Sequence, residues 1–210
     1  MSDEVLVERH GAVQVITINR PEARNALNGA VADPGRGLCG ITQTPPRKPM
    51  IGAAEGWALA GGFELLLACD LVVAGASARF GTSEVKRGLV AGAGGALLLA
   101  QRIPRALALE MMLTGDPVDA RRAAEIGLVN HVVDDGKALE AALALAEKIA
   151  ANGPLALIAS KEISAGGGDW TAAERWDEMA RVMRPVFTSQ DAQEGARAFA
   201  EKRAPVWKGR

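Results

Sequence analysis

The stretch Trp57-Ala58-Leu59-Ala60-Gly61-Gly62-Phe63-Glu64-Leu65-Leu66-Leu67-Ala68-Cys69-Asp70 limits the folds open to this chain more than any other. It follows the apolar run Pro49 to Gly56, which reads as a buried strand, and its glycine pair opens into a helix-like run from Phe63 to Ala68. A strand that passes through a glycine turn into a helix leaves unpaired N–H groups at the helix start, aimed at whatever lies in front of them. Glu64 falls in that first turn, where the helix dipole favours a carboxylate. One segment thus offers an oxyanion-binding N–H and a candidate acid or base. Taken alone it also fits an ordinary strand–helix turn, because glycine motifs by themselves carry little weight.

The 210 residues suffice for one domain with a sizeable core, or for one domain with a short appendage. With 49% hydrophobic but only 4% aromatic residues, that core is built mostly of Ala, Leu, Val and Ile, which suits helices packed closely on strands. A net charge of −1 leaves no basic excess for nucleic acid or an anionic membrane. Cys39 and Cys69 form neither a metal spacing nor a disulfide framework, so a reducing, cytoplasmic setting is expected. The acidic, polar start Met1-Ser2-Asp3-Glu4 argues against a signal peptide. No apolar run approaches the roughly 18 to 20 residues needed to cross a bilayer, so a soluble protein is expected.

Val5 to Arg9 and Val13 to Ile18 read as a β-hairpin, with His10 and Gly11 in its turn. Asn19 to Asn28 is a loop leading toward a short helix, and Asp33 to Gly40 and Thr44 to Pro49 are full of breakers. Leu71 to Gly75 is a second buried strand, Ala78 to Gly81 a shorter extended piece, and Thr82 to Leu89 a loop. Ala91 to Gly95 opens another helix, through Gln101. Pro104 suits the first position of a helix from Arg105 to Leu113, and Asp119 caps one ending at Gly127. Leu128 to Val133 is a strand in which His131 is structural. Beyond Gly136 the pattern is helical: 137–150, 154–164, 171–186 and 190–202. The expected division is therefore an α/β core over residues 1–150 and a helical region over 151–210. Trp170, Trp176 and Phe187 fit packing or an oligomer contact.

Several motifs in order resemble the crotonase, or enoyl-CoA hydratase/isomerase, family. They are Asn19-Arg20-Pro21-Glu22-Ala23-Arg24-Asn25-Ala26-Leu27-Asn28, Gly56 to Glu64, Ala68-Cys69-Asp70-Leu71, and Phe80-Gly81-Thr82-Ser83-Glu84-Val85. Gly88-Leu89 with Gly92-Ala93-Gly94-Gly95, Leu113-Thr114-Gly115, Gly127-Leu128-Val129-Asn130, and Glu194-Gly195 through Arg203 complete the set. The resemblance implies a crotonase-type spiral of β-β-α repeats, with a helical C-terminal region that builds homotrimers, usually paired into hexamers. It implies an acyl-CoA thioester as substrate, whose coenzyme A serves in place of any separate cofactor, and no metal. It also implies breakdown of fatty acids or related acyl-CoA compounds by β-oxidation. By position Gly61 matches one of two backbone oxyanion donors, and Glu64 and Glu84 match the glutamates that add water across a trans-2-enoyl-CoA. Ala23, Arg24 and Ala26 match the backbone strip along CoA, and Phe199 and Lys202 match C-terminal residues that approach it.

The chemistry suits that match. Charge develops on the thioester oxygen, where one preorganised donor is worth on the order of 10²–10³ in rate. Two carboxyl groups around one water cannot both ionise cheaply, so one is held toward its acid form. Glu84 is expected to give the proton to the α-carbon and Glu64 to hold the water as base. Isomerisation of a double bond, which needs a single base, and acyl-CoA binding without turnover are the alternatives. A peptidase is remote, since no Ser or His stands in a nucleophile turn.

Ala60, Ser83 and Ala91 stand where Gly, Pro and Pro are common in the family. The larger departure lies between about Ala32 and Leu38. There the family carries a helix, a strand and a loop with the other oxyanion N–H and a wall of the acyl pocket. The breaker-rich residues present cannot replace them, because a parallel crossover takes a dozen or more residues. A mobile loop over the acyl site is expected in any segment missing from this stretch of sequence. A true deletion would remove an oxyanion donor and a core strand.

Overall fold

The computed structural model describes residues 4–27, 32–33 and 35–210. Met1, Ser2, Asp3 and Asn28, named in the sequence reading, lie outside the described residues. The chain divides into two compact units, residues 1–46 with 50–146 and residues 47–49 with 147–210.

In the first unit, β1 (Val5–His10) and β2 (Val13–Ile18) form the expected antiparallel hairpin, with His10 as the last strand residue, opposite Val13, rather than in the turn. A 3-10 turn follows at Pro21–Ala23. The breaker-rich stretch holds a minimal hairpin, β3 (Ala32–Asp33) against β4 (Gly37–Leu38). Asp33 Oδ1 accepts the N–H groups of Gly35 and Arg36, local bonds that close this turn.

The spiral begins at β5 (Ile51–Ala54). Gly56, at φ +63°, breaks the chain there, so the sequence continues as a separate strand, β6 (Trp57–Leu59), before α1 (Gly61–Ala68). Sequence reading gives one strand over 49–56 and none over 57–59, because three residues between a left-handed glycine and a glycine turn are too short to show a pattern of their own. The next repeat supplies β7 (Leu71–Gly75) and β8 (Arg79–Gly81), followed by α2 (Gly95–Arg102) and α3 (Arg105–Thr114). Pro104 stands at the N-cap of α3, one position before the expected one. Then come β9 (Val118–Asp119), α4 (Ala120–Glu125) and β10 (His131–Val133). Asp119 caps α4 as expected, its carboxylate accepting the Arg122 N–H at 2.8 Å. Strand β10 is shorter than the expected 128–133, and His131 stands exposed on it.

Each repeat gives one strand to each of two sheets. One has the order β10-β7-β5, all parallel, and the other β6-β8-β9, parallel and then antiparallel. Asp70 Oδ2 accepts the Met50 N–H at 2.7 Å and Asn130 Oδ1 accepts the Val72 N–H at 2.8 Å, so two motif side chains pin the ends of β5 and β7. The Arg102 guanidinium donates to the carbonyls of Cys69 and Asp70, just past the C-terminal end of α1. Phe63 and Phe80, ring centroids 6.1 Å apart, lie in the core with Leu99, and none of the three is more than 1% exposed.

Helix α5 (Ala138–Ala150) starts in the first unit, where Glu55 Oε1 accepts the Ala138 N–H, and ends in the second. The second unit holds α6 (Pro154–Gly166), α7 (Arg175–Phe187) and α8 (Gln190–Ala200). Its tail is tied down by the Trp207 indole N–H to the Ala151 carbonyl, at 2.7 Å. Asp191 accepts the N–H groups of Lys208 and Gly209. Among the described residues no single helix is long and apolar enough to cross a membrane.

Candidate active site

Gly61 is the first residue of α1, and β6 leads straight into it. Ala60, between them, has φ +50° and ψ −128°, a conformation that a Cβ resists. That geometry is the physical reason a glycine suits this position. A Cβ on Gly61 itself would lie 3.2 Å from Leu38 Cδ2 and 3.4 Å from Leu27 Cδ1, so two apolar side chains close in on the start of the helix.

Glu64, one turn along α1, is 4% exposed. Its Oε1 accepts the N–H groups of Ala93 at 2.7 Å and Gly95 at 2.9 Å, at the glycine-rich start of α2. The start of a helix presents free N–H donors, and here two of them aim at a single carboxylate oxygen. The second glycine-rich helix start therefore orients the first helix's glutamate. The spacing of the two motifs gave no sign of that pairing, which spans about thirty residues of sequence.

Glu84 opens a 3-10 turn, Glu84–Arg87, where the sequence reads as plain loop. Its Oε2 is buried and has no hydrogen-bond partner. Burial pushes the Glu84 carboxyl above its usual range, opposed by its own backbone N–H, reinforced by the charge of Glu64 and opposed again by Arg87. Glu64 and Glu84 therefore share one electrostatic neighbourhood, one carboxylate tied by two amides and the other held toward its acid form.

Ala23 ends the first 3-10 turn, Arg24 and Asn25 are left-handed at φ +52° and +56°, and the Ala26 N–H returns to the Ala23 carbonyl at 2.9 Å. The Arg20 side chain holds the Ala26 carbonyl, and Asn25 Oδ1 holds the Arg20 N–H, fixing a backbone strip that runs to Leu27 beside Gly61. Phe199, on α8, is 88% exposed, and Lys202 follows that helix at φ +53°. Both belong to the second unit. Among the described residues no cluster of His, Cys, Asp and Glu could hold a metal.

The profile of the enoyl-CoA hydratase/isomerase family matches residues 41–210. The chain belongs to that family. It is an enzyme fold with many solved relatives: an enoyl-CoA hydratase from Mycobacterium tuberculosis H37Rv superposes with a TM-score of 0.96 at 47% identity, covering 99% of each chain. A probable enoyl-CoA hydratase/isomerase from Mycobacterium abscessus gives 0.93 at 48%, covering 100% of each. Among curated relatives, enoyl-CoA hydratase EchA19 of Mycobacterium tuberculosis is 38% identical over 99% of this chain and 97% of its own length. The 2,3-dehydroadipyl-CoA hydratase of Escherichia coli is 34% identical over 99% of both. The alignment with EchA19 runs over 258 residues against the 210 of this chain, so a stretch of that relative has no counterpart here. The family match starts at residue 41, and β5 and β6, the first strands after it, are edge strands of their sheets. The match thus begins just past the breaker-rich 32–38, where the sequence reading places the break.

Proposed function

We propose that this protein is an enoyl-CoA hydratase that adds water syn across a trans-2-enoyl-CoA to give a 3-hydroxyacyl-CoA. The supporting observation is the contrast between its two carboxyls: Glu64 is held by the Ala93 and Gly95 amides, while Glu84 is held toward its acid form. In this reading Glu64 takes a proton from water as the water oxygen bonds to the β-carbon. The Gly61 N–H stabilises the charge that moves onto the thioester oxygen. Glu84 then delivers its proton to the α-carbon, and solvent exchange resets both carboxyls. The names of the two curated relatives agree, both being hydratases of CoA thioesters.

The reading extends to a role in breakdown of fatty acids or related acyl-CoA compounds in the cytoplasm, with CoA as part of the substrate, no separate cofactor, and no nucleic-acid or membrane partner. Residues 1–150 then serve as the spiral core and 151–210 as the region that assembles a homotrimer or a dimer of trimers. Ala23, Arg24 and Ala26 then line the CoA, and Phe199 and Lys202 approach the CoA of a neighbouring subunit.

A second reading, acyl-CoA binding with little or no turnover, is favoured by the break before residue 41. A chain without the second oxyanion donor loses on the order of 10²–10³ in rate. Hydration of crotonyl-CoA, followed by loss of the conjugated thioester absorbance, decides between them when run on a sample of verified intact mass. Turnover that vanishes in Glu64→Gln and Glu84→Gln supports the hydratase. Tight binding of CoA esters with no hydration supports the second reading. A 3-enoyl-CoA incubation yielding only the shifted alkene would point instead to isomerisation.

A further inference from the structure

Thr82 is 2% exposed, and its hydroxyl oxygen is buried without a hydrogen-bond partner. A buried hydroxyl in that state bears its full desolvation penalty, and native proteins keep such groups chiefly where a solvent molecule or ligand completes them. Glu84 Oε2, two residues on, is in the same condition, and among the described side-chain oxygens these two are the ones buried and unpaired.

Their place in the fold ties both to the catalytic groups. The β6–β8 ladder sets Leu59 opposite Gly81, and the Ala60 N–H donates to the Gly81 carbonyl at 3.1 Å. Thr82 therefore directly follows the last pair of that ladder, next to the Ala60–Gly61 step, where α1 begins. The Glu64 N–H returns to the Ala60 carbonyl at 2.9 Å, so the helix turn that carries Glu64 is anchored on the same step.

We infer that Thr82 is a positioning residue for hydration: its hydroxyl and Glu84 Oε2 grip one solvent molecule, which fixes the Glu84 carboxyl in its proton-delivering orientation. A hydroxyl can donate to that molecule while the molecule donates to the carboxylate, and two such partners meet the minimum that a buried water requires. Valine has nearly the shape of threonine but nothing to donate, and serine keeps the hydroxyl.

The consequence for turnover rests on the hydratase reading, but the linkage between Thr82 and Glu84 does not. The test uses the full chain labelled with 13C-carboxyl glutamate, with the Glu84 signal assigned by its loss in Glu84→Gln. Thr82→Val and Thr82→Ala should each raise the pH midpoint of the Glu84 signal by roughly half a unit, since a donor to the charged form has gone. Thr82→Ser should restore the parent midpoint. In crotonyl-CoA hydration, Thr82→Val should lower kcat about tenfold with KM held within about twofold, and its alkaline limb should move with the midpoint. Equal Glu84 midpoints in parent, Val, Ala and Ser proteins would overturn the inference, and a raised melting temperature in Thr82→Val would then mark the hydroxyl as merely buried. Should the parent hydrate nothing, the hydratase reading falls while the titration still decides Thr82.

Discussion

Gly95 leaves no room for a side chain next to Glu64: a Cβ there would stand 3.0 Å from Glu64 Cγ and 3.1 Å from its Oε1, while the Gly95 N–H donates to that same oxygen at 2.9 Å. Backbone and carboxylate can approach this closely only because residue 95 is glycine. The glycine-rich start of α2 is thus a seat shaped for one glutamate.

A methyl group placed in that seat has to push the carboxylate aside. Ala91 Cβ, 2.9 Å from the same point, blocks the other way out. Gly95→Ala is therefore expected to cut crotonyl-CoA hydration by on the order of 10²-fold, the scale on which a 1 Å misplacement acts. Affinity for a saturated acyl-CoA should hold nearly constant. An unchanged kcat would show that the amide contacts of Glu64 do not matter for catalysis.

The raised Glu84 carboxyl makes both activity and stability depend on pH. A proton donor works while it keeps its proton, so kcat should fall as pH climbs through the raised Glu84 value. For stability, a carboxyl whose folded pKa is raised contributes fully below its unfolded value of about 4.5, and that contribution is lost as pH rises through the folded one. Glutamine at 84 does not titrate and so escapes the loss. Melting curves should show Glu84→Gln gaining on the parent at pH 8 relative to pH 4, and a constant difference across that range would contradict the shift.

Ala60 holds φ +50° with a Cβ attached. Such a conformation costs about 1–2 kcal/mol in a residue other than glycine, partly offset because glycine gives the unfolded chain more freedom. Ala60→Gly should therefore stabilise the protein by about 1 kcal/mol, a rise of roughly 2–4 °C in melting temperature. Since it also relaxes the step before the Gly61 N–H, its kcat is expected to equal or exceed that of the parent.

Much of this could be read from the chain. Helix starts are legible where a cap or a proline marks them, as with Asp119 before α4 and Pro154 at the start of α6, and strands β5 and β7 follow from short apolar runs. What stayed hidden depends on backbone geometry or on contacts distant in sequence. That Trp57–Leu59 forms a strand of its own, β6, turns on one positive φ at Gly56. The two-residue strand β9 exists only through its pairing with β8. The amides that hold Glu64, the leucines around Gly61 and the unpaired hydroxyl of Thr82 leave no periodic signature at all. Motifs marked Glu64 and Glu84 as chemistry, but not what distinguishes one carboxyl from the other. In the second unit, the Glu194-Gly195 pair proves structural: Glu194 grips both Arg203 and the Val206 N–H, and Gly195 lets the Trp207 ring lie close against the backbone.

The β1–β2 hairpin carries the clearest consequence of the break before residue 41. Among the described residues it pairs with no other strand, and every residue of β1 is exposed, with Val7 at 61% and, on β2, Ile16 at 65%. A lone two-stranded hairpin is at best marginally stable in water, because no third strand covers its face. Its amides should therefore exchange with solvent through local opening, far sooner than those of β5 and β7, where Val72 and Val73 are 2% and 0% exposed. Native-state hydrogen exchange read by mass spectrometry is expected to label residues 5–18 within seconds while 71–75 stay protected for hours. Equal protection in the two segments would mean that the hairpin is braced by something beyond its own pairing, such as a segment restored before residue 41 or a second copy of the chain.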